Sequence, residues 1–150
     1  MALAKKNFDN WNVERKKVDA QEIRRDLFFC EREVWWCTLG INIGVETDGK
    51  NENYERPVLS VKKFNNAMLR VVPLTSKEKV SPHHFRISHE AGTSWVCLSQ
   101  IRTISTKRLL RKIGMVSEPD FCIVAKRMAD YITIGPRISA GSSEAEATNS

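Results

Sequence analysis

The feature that most narrows the fold of this chain is a succession of short runs rich in β-branched and aromatic residues: Val34 to Leu39, Pro57 to Phe64, Met68 to Leu74, His84 to Ser88 and Ser94 to Ile104. Runs of this length and composition are strands. Gly40 to Glu55, Thr75 to Pro82 and His89 to Thr93 supply the polar connections between them. The regular spacing predicts a small, strongly curved sheet or barrel.

Helices flank this block. Residues 9 to 27 (DNWNVERKKVDAQEIRRDL) hold good helix formers, neither Gly nor Pro, and Asp9 and Asn10 as possible caps. The apolar residues Trp11, Val18, Ile23 and Leu27 are too sparse for a core helix, so this extension is expected to pack through Trp11. Thr106 to Ile113 (TKRLLRKI), closed by Gly114, reads as a helical turn or a helix-to-strand join. Ser117 with Asp120 three residues on, and Pro119 in the first turn, opens an amphipathic helix. Its stripe of Phe121, Val124, Ala125, Met128, Ala129 and Ile132 must be covered by the sheet. After Gly135 the chain becomes small and polar and is expected to be disordered. The expected organisation is thus a helical extension over 1–31, one domain over 32–135 and a tail over 136–150.

Charge is distributed unevenly. The net charge is +6, yet residues 56–113 alone carry 12 basic and 2 acidic side chains while residues 34–55 carry 1 and 4. Positive charge concentrated in one segment suits a polyanionic partner. No apolar run approaches the ~20 residues of a membrane span, and the polar residues after Lys5 and Lys6 do not resemble a secretory signal. A cytoplasmic protein that does not engage the membrane is expected. Cys30, Cys37, Cys97 and Cys122 sit in apolar or aromatic stretches and read as buried reduced thiols. His83, His84 and His89 lack partner ligands at zinc spacing and read as a solvated loop, so no metal or other cofactor is expected.

Four local features carry the chemistry: Gly44-Val45-Glu46 with Asp48-Gly49, Arg56-Pro57-Val58, Pro73-Leu74-Thr75-Ser76, and Ser99-Gln100-Ile101-Arg102-Thr103-Ile104. Each stands at the edge of a predicted strand. In this order they resemble the MazF/PemK (Kid-like) family of toxin endoribonucleases of type II toxin-antitoxin systems, over about residues 32–133. The resemblance implies an α+β fold, a small SH3-like or CcdB-like β-barrel with a C-terminal helix, and a homodimer. It implies cutting of single-stranded RNA at short motifs, by attack of the 2′-hydroxyl on the adjacent phosphate to leave a cyclic phosphate and a 5′-hydroxyl. It also implies an acidic antitoxin protein as partner.

The residues themselves support such a reaction, because an internal nucleophile needs a held phosphate, charge stabilisation and proton transfer, and no metal to generate it. Arg56 offers a permanently charged bidentate fork and matches the family's catalytic arginine. Thr75 brings a hydroxyl to a strand end and matches the catalytic threonine. Glu46 is assigned as the third catalytic residue, orienting a phosphate-binding arginine or accepting the 2′-hydroxyl proton. Expected RNA contacts are Lys50, Ser76, Lys77, Lys79, Ser99 and Arg102, with Asn65 and Gln100 reading base edges. Tyr54 and Phe85 are available to stack on bases, while Arg108, Arg111 and Lys112 are expected on a solvated face. Two departures stand out: Ser99 occupies a position where many family members have a carboxylate, and KNENYE lengthens the loop before Arg56. A gyrase-inhibiting binding toxin of the CcdB type and a non-cleaving RNA-binding protein are the alternatives on the same fold.

Overall fold

Neighbouring residues of a strand point to opposite faces, and here both faces are apolar. Val34, Leu59, Val72, Leu74, Val96 and Leu98 form one buried cluster, whereas Trp35, Cys37, Val58, Leu69, Val71 and Leu109 form a second. The strand register places Val34 opposite Leu59 and Trp35 opposite Val58, so each cluster is built across strands from residues of one face. A sheet buried on both sides needs two covers.

The computed structural model describes residues 5–133, and the expected disordered tail over 136–150 lies outside them. In chain order the elements are α1 (Phe8–Ala20), β1 (Glu33–Thr38), β2 (Glu55–Lys63), β3 (Met68–Thr75), β4 (His84–His89), β5 (Gly92–Cys97), β6 (Arg102–Ser105), β7 (Leu109–Met115) and α2 (Glu118–Ile132). The seven strands form one antiparallel sheet in the order β4-β5-β3-β2-β1-β7, with β6 added to β3. The architecture is α+β. Among the described residues no ladder joins β4 to β7; the Glu90 carboxylate spans that gap by accepting the Met115 N–H at 3.0 Å.

Helix α2 covers the first cluster through Val124 and Met128, and Ser117 caps it by accepting the Asp120 N–H. The segment before β1 covers the second through Phe29, 4% exposed, and Leu27. That duty explains why the first helix is shorter than its composition suggests. It begins after Asn7, whose side chain accepts the Asn10 N–H, and stops at Ala20. Residues beyond it must extend for Phe29 to reach the sheet.

The expected strand from Ser94 to Ile104 is divided by a 3-10 turn over Leu98–Gln100. An unbroken strand would carry Leu98 and Gln100 on the same face. The turn sends Leu98 into the core, leaves Gln100 half-buried, and lets β5 and β6 pair with successive parts of one edge of β3. Residues 106–113 are likewise a 3-10 turn over Thr106–Arg108 followed by β7.

The thiol expectation needs correcting. Only Cys37 is buried, its thiol pushed up to about 12 by desolvation, whereas Cys30 and Cys122 are exposed and all four are free. In the extended segment before β1 Phe29 turns inward and Cys30 outward, and on helix α2 one residue's turn carries Cys122 off the face that Phe121 presents to the core. The solvated-loop expectation holds for His83, exposed in the turn before β4, but not for the other two histidines. His84 and His89 are the end residues of β4, and burial holds both imidazoles below their ordinary pKa.

Candidate active site

Arg56 is the second residue of β2, paired opposite Cys37, and this strand-edge setting directs its half-buried side chain along the sheet end. Its Nε donates to the Asp48 carbonyl at 2.7 Å and one terminal nitrogen donates to the Leu74 carbonyl at 3.2 Å. A guanidinium has five N–H donors, so among the described residues three remain for a ligand while the plane is held by two carbonyls. Leu74 directly precedes Thr75, the last residue of β3. The anchor of the arginine is therefore adjacent to the threonine hydroxyl. That hydroxyl oxygen accepts the Lys77 N–H at 3.3 Å, which turns the chain out of the strand and leaves the hydroxyl proton available.

Exposed Ser76, Lys77 and Lys79 follow Thr75 in the connection to β4. Cys97, which closes β5, lies in the field of the same cations: burial raises its pKa while Arg56 and Lys79 act to lower it. Sequence reading missed Cys97 as a neighbour of Arg56, because only pairing of β5 with β3 brings it there. Asp48 was visible in the motif but not as an anchor, since it acts through its main chain.

A second group gathers across the β1–β2 loop. Asn42, Glu46 and Thr47 on one side, and Ser99, Gln100, Ile101 and Arg102 on the other, line a cleft of about 270 Å³. Gln100 clasps the two walls. Its Oε1 accepts the Thr47 N–H at 3.2 Å and its Nε2 donates to the Val45 carbonyl at 3.3 Å. Glu46 caps a turn in this loop, Oε1 accepting the Ile43 N–H at 2.9 Å, and among the described residues no hydrogen bond or ion pair joins it to Arg56. Arg102 sits on β6 opposite Val71.

The remaining expected contacts are dispersed. Lys50 is exposed where the KNENYE segment closes on itself through reciprocal 2.8 Å bonds between Lys50 and Glu55. Asn65 lies in the β2–β3 turn beyond Lys63, at the opposite end of β2 from Arg56, and its side chain accepts the Ala67 N–H. At ~3.3 Å per residue a strand of that length separates them by well over 20 Å. Tyr54 packs on Trp11 with ring centroids 5.2 Å apart, and Phe85 packs against the first core cluster beneath Arg127. The three cations expected on a solvated face are all engaged. Arg108 donates to the Thr38 and Leu39 carbonyls, Arg111 pairs with Glu55 at 3.1 Å, and Lys112 pairs with Glu33 at 3.0 Å. Among the described residues no three His, Cys, Asp or Glu side chains converge as metal ligands, and no helix is long and apolar enough to cross a membrane.

Residues 31–132 match the family model described as PemK-like, MazF-like toxin of type II toxin-antitoxin system. The chain belongs to the PemK/MazF toxin family. Solved structures of this fold agree. MazF from Deinococcus radiodurans superposes with a TM-score of 0.62 at 17% identity, over 71% of this chain and 98% of that one. An endoribonuclease from a mycobacterial species gives 0.53 at 19% identity, over 72% and 95%. A mycobacterial endoribonuclease in complex with its cognate antitoxin gives 0.53 at 17% identity, over 70% and 95%. At these identities the likeness establishes the fold. No curated protein matches the sequence. In this PemK/MazF fold Arg56, near the start of β2, and Thr75, at the end of β3, lie at the same end of the two paired strands, away from the turn that joins them, and residues 5–30 form an addition before the matched region.

Proposed function

We propose that this PemK/MazF-family toxin is a metal-independent endoribonuclease that cuts single-stranded RNA through 2′-hydroxyl attack. The observation that carries the reading is the Arg56 guanidinium, braced by the Asp48 and Leu74 carbonyls beside Thr75 with three donors left over. Held in this way, it can grip a scissile phosphate without reorganising as charge builds on the phosphoryl oxygens. The Thr75 hydroxyl donates a further hydrogen bond to that group, and Ser76, Lys77 and Lys79 hold the adjoining backbone. Alignment of the 2′-hydroxyl with the phosphorus adds to the acceleration.

Glu46 we assign to the loop, where its carboxylate supports the turn at Ile43, and Gln100 to clasping that loop. Arg102, Ser99 and Lys50 are available to RNA that enters the 270 Å³ cleft or passes the inserted hairpin. Asn65 stands apart from this track. We further propose that the protein acts as a homodimer in the cytoplasm and that a small acidic antitoxin silences it by covering the basic groove, by charge complementarity.

Purified protein incubated with mixed RNA in EDTA is expected to release fragments with cyclic-phosphate and 5′-hydroxyl ends. Folded Arg56→Ala is expected to lose at least about a hundredfold of that rate. Undiminished cleavage by Arg56→Ala overturns the assignment.

A further inference from the structure

Residues 5–20 precede the family-matched region, yet they hold the loop that anchors the arginine. Lys6 crosses to the β1–β2 loop, where Nζ donates to the Asn42 carbonyl at 2.7 Å and the Gly44 carbonyl at 3.0 Å and pairs with Asp48 Oδ2 at 3.0 Å. Asp48 is the hinge of the arrangement. Its other carboxylate oxygen accepts the Asn42 N–H at 2.6 Å, and its carbonyl accepts Arg56 Nε at 2.7 Å. One residue is thus gripped through its side chain by the N-terminal segment and through its main chain by Arg56.

Trp11 holds the base of the same loop. It is 4% exposed, and it lies so close over Gly40 that a Cβ there would stand 2.1 Å from the indole. Gly40 has φ +77° and its carbonyl accepts the Gly49 N–H at 2.8 Å, so the point where Trp11 presses is also where the loop closes. The indole also meets the Tyr54 ring, two residues before Arg56. The start of the loop at Gly40 and the Asp48 carboxylate near its end are therefore both held by residues outside the matched region.

We propose that the N-terminal segment is a brace for the active site, with Lys6 and Trp11 as positioning residues that fix loop 40–49 and, through Asp48, the orientation of the Arg56 guanidinium. The proposal rests on the ribonuclease reading for its kinetic consequence but not for its structural one. A brace acts on the rate constant of cleavage, because small displacements of a phosphate-holding group are costly to the reaction. A lysine that merely attracts RNA acts on affinity instead.

Lys6 is the residue to vary, because Trp11 is buried and its loss endangers the fold. In the full-length protein, Lys6→Met is expected to lower the single-turnover cleavage rate about tenfold while RNA affinity changes less than about twofold. Lys6→Arg, which keeps charge and donors, is expected to recover most of the rate. Lys17→Ala, which removes an exposed ion pair with Glu14 on α1, is expected to cleave as wild type. Hydrogen exchange read by mass spectrometry is expected to quicken at residues 41–49 in Lys6→Met and to stay unchanged in β2 and β3. Loop exchange identical to wild type overturns the brace, whether or not the protein cleaves RNA. A quickened loop with an unchanged cleavage rate overturns its link to Arg56. If the wild-type protein leaves RNA intact, the ribonuclease reading fails, and the exchange experiment alone decides whether Lys6 braces the loop.

Discussion

Two main-chain carbonyls orient Arg56, and this distinguishes charge from geometry at the site. Arg56→Lys keeps the positive charge but loses the planar fork and both anchors. It is expected to cleave RNA at least about tenfold more slowly than wild type, closer to Arg56→Ala than to the parent, in single-turnover assays. Glu46 offers the converse test. Glu46→Gln preserves the acceptor for the Ile43 N–H and removes only the negative charge. Cleavage within about threefold of wild type supports a loop role, whereas a loss near a hundredfold makes Glu46 the proton acceptor. Away from the site, Ser60 Oγ is wholly buried with no hydrogen-bond partner among the described residues. Ser60→Ala is expected to raise stability by about 1 kcal/mol in urea denaturation, because an unpaired hydroxyl is costly to bury.

At the scale of elements, the chain uses tight junctions to put chemistry at strand ends. Gly40, two residues past β1, lies in the left-handed region and sits against Trp11. Gly40→Ala is expected to lose about 2 kcal/mol or more, from backbone strain together with displacement of α1, as read by chemical denaturation and tryptophan fluorescence. The start of β1 has its own device: Glu33 accepts the Cys30 N–H and the Trp35 indole N–H and pairs with Lys112. Burial alone would raise the Glu33 pKa, but these partners outweigh it and hold the value below the ordinary 4.5. A carboxylate with a depressed folded pKa stabilises the fold above its unfolded value and loses that contribution as pH falls through the folded one. The melting temperature is accordingly expected to fall as pH drops below 4.5, and to fall less steeply in Glu33→Gln.

For the whole molecule, the excess of basic residues between 56 and 113 does not form one uniform surface. Arg108, Arg111 and Lys112 are tied to carbonyls or carboxylates, while Lys77 and Lys79 remain exposed beside Thr75. RNA binding is expected to weaken with salt, and Lys77→Ala is expected to reduce the slope of log affinity against log salt by about 0.7, the value for one phosphate contact on a single strand. An unchanged slope removes Lys77 from the RNA track. The cysteines report the same inside and outside: alkylation is expected to label Cys122 in the native protein and Cys37 only on unfolding.

Four of the seven strands, β1 to β4, and the start of the final helix were legible from local pattern, because alternation and capping act over a few residues, whereas the break between β5 and β6, strand β7 and the order in the sheet were not. Nor was the fate of Gln100, Glu46 and Asp48. Gln100 looked like a base reader, but a 3-10 turn directs its amide to the Thr47 N–H and the Val45 carbonyl. Asn65, read as a base contact, stands beyond the far end of β2 from Arg56, and the length of that strand was not visible in the motif. The first helix was readable as a helix, but only the fold brings Lys6 to Asp48, 42 positions along the chain, and Trp11 onto Gly40. Local sequence dictates which groups are available and on which element they ride. Which of them meet depends on contacts between residues distant in the chain, and those exist only once both faces of the sheet are covered.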